Sequence, residues 1–335
     1  MKFYRFISGA LIIFCCAFTF FYGRYKIAQG GLDTSPQNYK GIITMWQIDS
    51  FEGGVGSRKQ FLLKVARDFE KQHTGVLVMV VNQTIYGVLS AYENGDLPDI
   101  VSFGTGTEVR GNCQLNIDKT ILGGMVGDKC YATAWCRGGY VLITNPNLTL
   151  RAEKNNKKIE KLLVSQGEYT QPLTAFLLEG YTANEIEILE PMDAYIKFTS
   201  GKVSHFLATQ RDVSRLLNRG MEFDAIALEN YNDLYQYLSI TSNSAEKRFY
   251  AQEFVNFLTS DKVQKSLTSI GMYSPFITTS YDTIYHQQLQ NTKVKLTVSA
   301  FTSGEILKEM QRLSSLAVKG DEKALNNIKN MCVMP

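Results

Sequence analysis

The chain has 335 residues, of which 44% are hydrophobic, 20% charged and 12% aromatic, and 35 Lys and Arg against 32 Asp and Glu leave a net charge of +3. That balance excludes a disordered or collagen-like chain and gives no basic footprint for nucleic acid. It predicts no nucleic-acid partner.

Lys2 and Arg5 precede an uncharged apolar run over residues 6–22, flanked by Arg24 and Lys26. A positive start followed by such a run reads as a secretory signal or signal anchor over residues 1–25. About 17 residues sit at the lower limit for crossing a bilayer. Cys15 and Cys16 lie inside the run, but Phe14 stands where a lipidated cysteine wants a small residue. The expectation is therefore an uncleaved peptide anchor, with the rest of the chain on the outer face of the cytoplasmic membrane or secreted after cleavage. Residues 26–40 read as a polar linker.

GIITMWQI at 41–48 reads as a buried strand, followed by the glycine-rich turn DSFEGGVGSR at 49–58. Phe61, Leu62, Val65, Ala66 and Phe69 then recur at helical spacing, and 76–81 is a second apolar strand. Strand, helix, strand is a right-handed parallel crossover unit. A helix over 87–94 and a strand over 99–103, ending in Gly104, Thr105 and Gly106, extend it into an open α/β sheet. Ligands of such sheets sit at the carboxyl ends of strands.

Further on, 140–143 reads as a strand, and 151–163, 170–178 and 183–189 as helices. Thr209 with Asp212 looks like a capping box opening a helix over 212–218. Strands are expected over 223–228 and 234–240, and helices over 244–258, 261–269, 303–318 and 321–331. About 310 residues after the anchor are more than one core needs, so two lobes are expected.

The glycines of the 49–58 turn allow backbone amides to approach a ligand at a helix start. The turn lacks the order of a nucleotide P-loop. Trp46, Phe51, Trp135, Tyr140, Tyr273 and Phe301 offer faces for sugar rings, or simply pack a core. Asp49, Arg137 and Gln210 offer polar partners. His73, His205 and His286 form no recognisable pair, and no GxSxG elbow occurs. No catalytic, metal or cofactor set emerges, so the chain is not expected to be an enzyme. Carboxylate pairs of a surface glycoside hydrolase stay open, because their separation is set in three dimensions. Cys113, Cys130, Cys136 and Cys332 could pair in an oxidising compartment, and their spacing does not match a zinc site.

WQIDSFEGGVGSR, VARDFEKQH with GVLVMVV, NGDLPDIVSFG, GKVSHFLATQRDVSRLL and YAQEFVNFLTSDKVQKSLTSIGMYSPF occur in an order and spacing. Together they resemble the extracellular solute-binding proteins of ABC importers with the periplasmic-binding-protein type II fold, carbohydrate type. The resemblance covers nearly all of residues 39–276. It implies an α/β fold of two lobes, each an open sheet flanked by helices: 41–143 plus 239–297, and 144–238 plus 298–335, with hinges near Ile143, Leu238 and Val298. It places Trp46, Asp49, Phe51 and Gly53 with Gly104 and Thr105 on the lobe-one wall, and Trp135, Arg137 and Tyr140 at the first crossing. Gln210 and Arg211 fall on the lobe-two wall, and Tyr273 and Phe301 on the rim. The implied function is a monomeric receptor that closes on a small polar solute, a sugar favoured, and delivers it to an ABC permease. A small anion or metal chelate held by Arg58, Arg137 and Arg211, or a sensory rather than transport role, are the rival readings.

Overall fold

The computed structural model describes residues 39–117, 122–149 and 157–334. The expected signal or anchor segment, with Cys15 and Cys16, lies outside them. No helix of the described residues is long and apolar enough to cross a membrane.

Residues from Lys40 onward form one unit built on two five-stranded sheets. The first holds β1 (Gly41–Ile48), β2 (Val76–Gln83) and β3 (Ile100–Phe103), together with two later strands. Val76, Val78 and Val80 turn inward while Leu77 and Met79 face out, the period-2 pattern of a strand covered on one side. Between β1 and β2 runs α1 (Arg58–Glu70), started by Ser57, whose hydroxyl accepts from the Gln60 amide at 3.4 Å. Its Phe61, Leu62, Val65, Ala66 and Phe69 are buried, each large side chain contributing about 1.5–3 kcal/mol. α2 (Ile85–Asn94) ends on Gly95 in the left-handed conformation, φ 74°.

The chain then forms β4 (Thr133–Arg137), passes through Gly138 and Gly139, and enters the second sheet as β5 (Tyr140–Thr144). There it adds β6 (Lys158–Ser165), α3 (Pro172–Leu178), β7 (Thr182–Leu189), α4 (Pro191–Thr199), β8 (His205–Thr209), α5 (Gln210–Asn218) and β9 (Asp224–Ala227). It returns to the first sheet as β10 (Tyr235–Ile240). The sheet orders are β2-β1-β3-β10-β4 and β9-β5-β8-β6-β7. α6 (Ala245–Leu258) packs on α1 and β10, followed by the short α7 (Asp261–Lys265). α8 (Ile284–Asn291) lies against α5 and β9 of the second sheet, and α9 (Gly304–Ala317) and α10 (Glu322–Met331) pack beside α3.

Two expected helices are strands. Residues 183–189 form most of β7, where Glu185, Ile186, Glu187 and Ile188 alternate along an edge strand. Within 151–163, residues 151–156 are not described, and 158 onward belong to β6, whose Leu162, Leu163, Val164 and Ser165 are buried in succession. A strand covered on both faces has no polar stripe, so its composition imitates a helix. The passages between sheets lie at Gly138 with Gly139 and at residues 228–234. The boundaries expected at 143 and 238 fall inside β5 and β10, because an apolar strand reads alike whichever sheet it joins. α8 also sits with the second sheet rather than the first. Cys113, Cys130, Cys136 and Cys332 are free thiols.

Candidate ligand cleft between the two sheets

A cleft of about 490 Å³ lies between the sheets, at the carboxyl ends of β1, β6, β7 and β8. Its lobe-one wall is the turn from Asp49 to Ser57. Arg58, the first residue of α1, is nearly fully buried and holds that turn from beneath. Its Nε donates to Asp49 Oδ1 at 2.7 Å, its Nη1 to Gln236 Oε1 at 3.1 Å, and its Nη2 to the Phe51 carbonyl, while its guanidinium stacks 4.4 Å from the Phe51 ring. Gln236 Nε2 donates in turn to the Ile48 carbonyl at 2.8 Å and Ser102 Oγ at 3.1 Å, and Trp135 Nε1 donates to the same hydroxyl at 3.0 Å. The Gln236, Ser102 and Trp135 links are buried and the Asp49 and Phe51 links partly so, and the charge of Arg58 strengthens its own bonds, which makes such a network stiff.

Two glycines make this wall possible. A Cβ on Gly54 would stand 2.2 Å from the Ile270 carbonyl oxygen, and one on Gly104 would stand 1.7 Å from Ser50 Oγ. Gly53, by contrast, has ordinary room at 3.5 Å from its nearest neighbour. Ser50 lines the cleft, and its Oγ has no hydrogen-bond partner among the described residues.

The lobe-two wall is made of strand ends and helix starts: Ser165, Gly167, Thr170, Glu190, Pro191, Thr209 and Arg211. Asp212, fully buried, accepts from the Thr209 amide at 3.2 Å and closes the first turn of α5. Burial pushes its carboxyl up to about 6, with Glu52 pushing the same way and Arg215 opposing. Arg211 reaches across the cleft. Its Nη1 donates to the Gly54 carbonyl at 3.0 Å, and its Nε stands 3.3 Å from Glu52 Oε1 without hydrogen-bond alignment. Arg215 donates to both oxygens of Glu52, at 3.1 and 3.4 Å.

Behind the cleft the two passages between sheets bond to each other. Gly138 donates to the Leu234 carbonyl at 2.7 Å, Asn232 Nδ2 to the Gly138 carbonyl at 3.2 Å, and Gly139 to Gln210 Oε1 at 2.9 Å. A Cβ on Gly138 would meet that Gln210 oxygen at 2.7 Å. Tyr140 OH donates to Asp233 Oδ1 at 2.9 Å, and burial raises that carboxyl to about 7. Tyr273 OH lies 2.7 Å from His286 Nδ1, and His286 Nε2 lies 3.0 Å from Ser214 Oγ. Burial lowers the His286 pKa, so it stays neutral and works as a hydrogen-bond bridge.

Of the residues singled out from sequence, Asp49, Phe51, Gly53, Arg58 and Arg211 line this cleft. Trp135 is buried in the lobe-one core, stacked on Phe61 at 5.8 Å. Tyr140, Gln210 and Tyr273 are buried at the passages, as is Arg137, which donates to Thr292 Oγ1 and to the Leu289 and Gln290 carbonyls. Trp46 and Phe301 pack on the Phe103 cluster, Thr105 is buried, and Gly104 makes room for Ser50. Glu52, Ser165, Thr170 and Glu190 join the cleft without having been singled out. Glu52 sits within the glycine-rich 49–58 turn, whereas Ser165 and Glu190 close or follow β6 and β7, whose composition reads as helix. Among the described residues no group of three His, Cys, Asp or Glu is placed to hold a metal.

Two mixed sheets, joined by crossing segments around a cleft at their strand ends, decide the architecture. The chain has the two-lobed fold of the solute-binding proteins. It is similar to the sugar-binding protein MalE from the phytopathogen Xanthomonas citri, with 15% identity over 87% of this chain and 96% of that one, TM-score 0.60. Similar too are iron-bound HitA from Pseudomonas aeruginosa, with 14% identity over 82% and 99%, TM-score 0.54, and the protein described as the Atu4243-GABA receptor, with 14% over 84% and 98%, TM-score 0.57. No protein-family model and no curated protein matches the sequence. At these identities the likeness is one of the solute-binding-protein fold.

Proposed function

We propose that this chain is an extracytoplasmic solute receptor of an ABC importer, which closes its lobes on a small polar ligand and presents it to a membrane permease. A neutral carbohydrate of one or two rings is the favoured ligand. The observation that carries this reading is the cleft itself. It is of ligand size, open between two lobes, and lined from both sides by hydroxyls and carboxylates, with Phe51 as an apolar face. Most of the similar structures are described as sugar or oligosaccharide binders, which supports the same class. Asp49, fixed by Arg58 and by Gln47 Nε2 at 3.0 Å, supplies an oriented acceptor for ligand hydroxyls.

In this role the protein needs no chemistry of its own, and the N-terminal apolar segment would hold it near the permease. Ligand preference for the closed arrangement drives closure, since equal affinity for both would shift nothing. A thermal-shift screen over mono- and disaccharides, amino acids, polyamines and phosphate tests the reading. A ligand at 100 times its Kd stabilises by about 2.7 kcal/mol. The expected result is a sugar that raises the melting temperature in the wild type and fails to do so in Asp49→Ala. Consumption of a glycoside by the purified protein would instead support a hydrolase.

A further inference from the structure

Among the described residues, Arg58, Arg211 and Arg215 each stand within 3.3 Å of a carboxylate. Arg58 is held by Asp49 at 2.7 Å, Arg215 by Asp212 at 3.2 Å and by Glu52 at 3.1 Å, and Arg211 faces Glu52 at 3.3 Å. Glu190 adds a further exposed carboxylate to the lining. Glu52 is the residue common to both arginines that reach over from the second lobe. An anion approaching Arg211 or Arg215 therefore also approaches the Glu52 carboxylate.

We propose that Glu52 is a specificity-determining residue: by occupying Arg211 and Arg215 across the cleft, it turns away anionic solutes and admits neutral, hydroxyl-rich ones. The inference rests on the receptor reading for its biological meaning, but its physical content stands on the cleft charges alone. The contacts of Glu52, 3.1 to 3.4 Å, are longer than the 2.7 Å of the Arg58 pair, and charge-assisted bonds favour about 2.7–2.9 Å. Arg211 Nε is buried yet has no acceptor in line. Apart from the Gly54 carbonyl, to which Nη1 donates at 3.0 Å, that guanidinium has no aligned acceptor among the described residues, and it has the planar fork that suits a carboxylate or phosphate. What withholds it is the competing carboxylate of Glu52, a repulsive element of the kind that separates one ligand from another of the same shape.

Removing the charge has two separable effects. Loss of a tie between the lobes weakens every ligand alike, whereas release of Arg211 changes the ratio of acid to neutral ligand. The test compares wild type, Glu52→Gln and Glu52→Gln with Arg211→Gln. Calorimetry is run with D-glucose against D-glucuronate and D-galactose against D-galacturonate, and melting temperature is followed against inorganic phosphate. The expected result is a shift of the acid-to-neutral affinity ratio toward the acid by about tenfold in Glu52→Gln, cancelled in the double variant. Glu52 is partly exposed, so the fold should be retained, and Glu52→Ala is a second variant with the same expectation. An unchanged ratio, or a wild type that already prefers the uronate, would overturn the proposal. Should none of the sugars bind any variant, the sugar-receptor reading fails, and phosphate still decides this one. Glu52→Gln must gain a phosphate-dependent rise in melting temperature that wild type and the double variant lack. Absence of that gain overturns the assignment.

Discussion

The two walls of the cleft are built on opposite plans. The first is a short turn clamped from below by a buried arginine that bonds Asp49, Gln236 and Phe51, and close-packed glycines leave it little freedom. The second is a row of strand ends and helix starts, from which two long, partly exposed arginines cross to the first. Charge committed in a core fixes shape, while charge left at a rim stays available to a ligand or to the other lobe. The comparison therefore assigns rigidity to the first wall and adaptability to the second.

The largest test of that contrast is Arg58→Met. It strips Asp49, Gln236 and the Phe51 carbonyl of their donor, and a loss of about 3 kcal/mol is expected in urea unfolding, discounted because Asp49 is half exposed. A loss under about 1 kcal/mol would mean that the turn holds itself. Gly54→Ala comes next. Its Cβ must push the Ile270 carbonyl away, and about 1–3 kcal/mol of strain is expected together with weakened ligand binding.

A third test uses pH and the hub behind the cleft. Asp233 has a folded pKa of about 7, above its ordinary 3.8, so the folded state binds the proton more tightly and this group's contribution to stability falls as pH rises from about 4 to 7. Asp233→Asn keeps an acceptor for Tyr140, and its melting temperature should gain on wild type at pH 8 and converge with it near pH 4. His286 acts in the opposite sense. Its pKa is lowered, so the stability it lends above the ordinary value of 6.5 is lost as pH falls below it. His286→Gln should flatten that acid limb in thermal unfolding between pH 7 and pH 5. Smallest of all is Arg211→Gln, for which less than about 1 kcal/mol of stability is expected from a partly exposed pair. A larger loss would place the second wall with the first as a structural element.

The glycine-rich turn at 49–58 was legible before any fold was known, because closely spaced glycines between a strand and a helix have few other uses. Asp49, Phe51 and Gly53 were found with it. Trp135 and Tyr140 were not separable from cleft aromatics, since a ring has the same composition whether it stacks on Phe61 or on a sugar. Glu190 and Ser165 were hidden by reading β6 and β7 as helices, for Lys- and Glu-rich strand starts carry helix propensity that only sheet pairing overrides.

By itself the sequence determined the alternation of strands and helices through the first three strands, the two-lobed size and the turn that forms one wall, because periodicity and glycine chemistry act over a few neighbouring residues. Only the tertiary structure decided which strand joins which sheet, that Arg58 is buried at the base of the cleft while Arg211 crosses it, and that Glu52 meets two arginines about 160 residues away. Those outcomes depend on burial and on distances between segments remote in the chain, and neither quantity is written in local order.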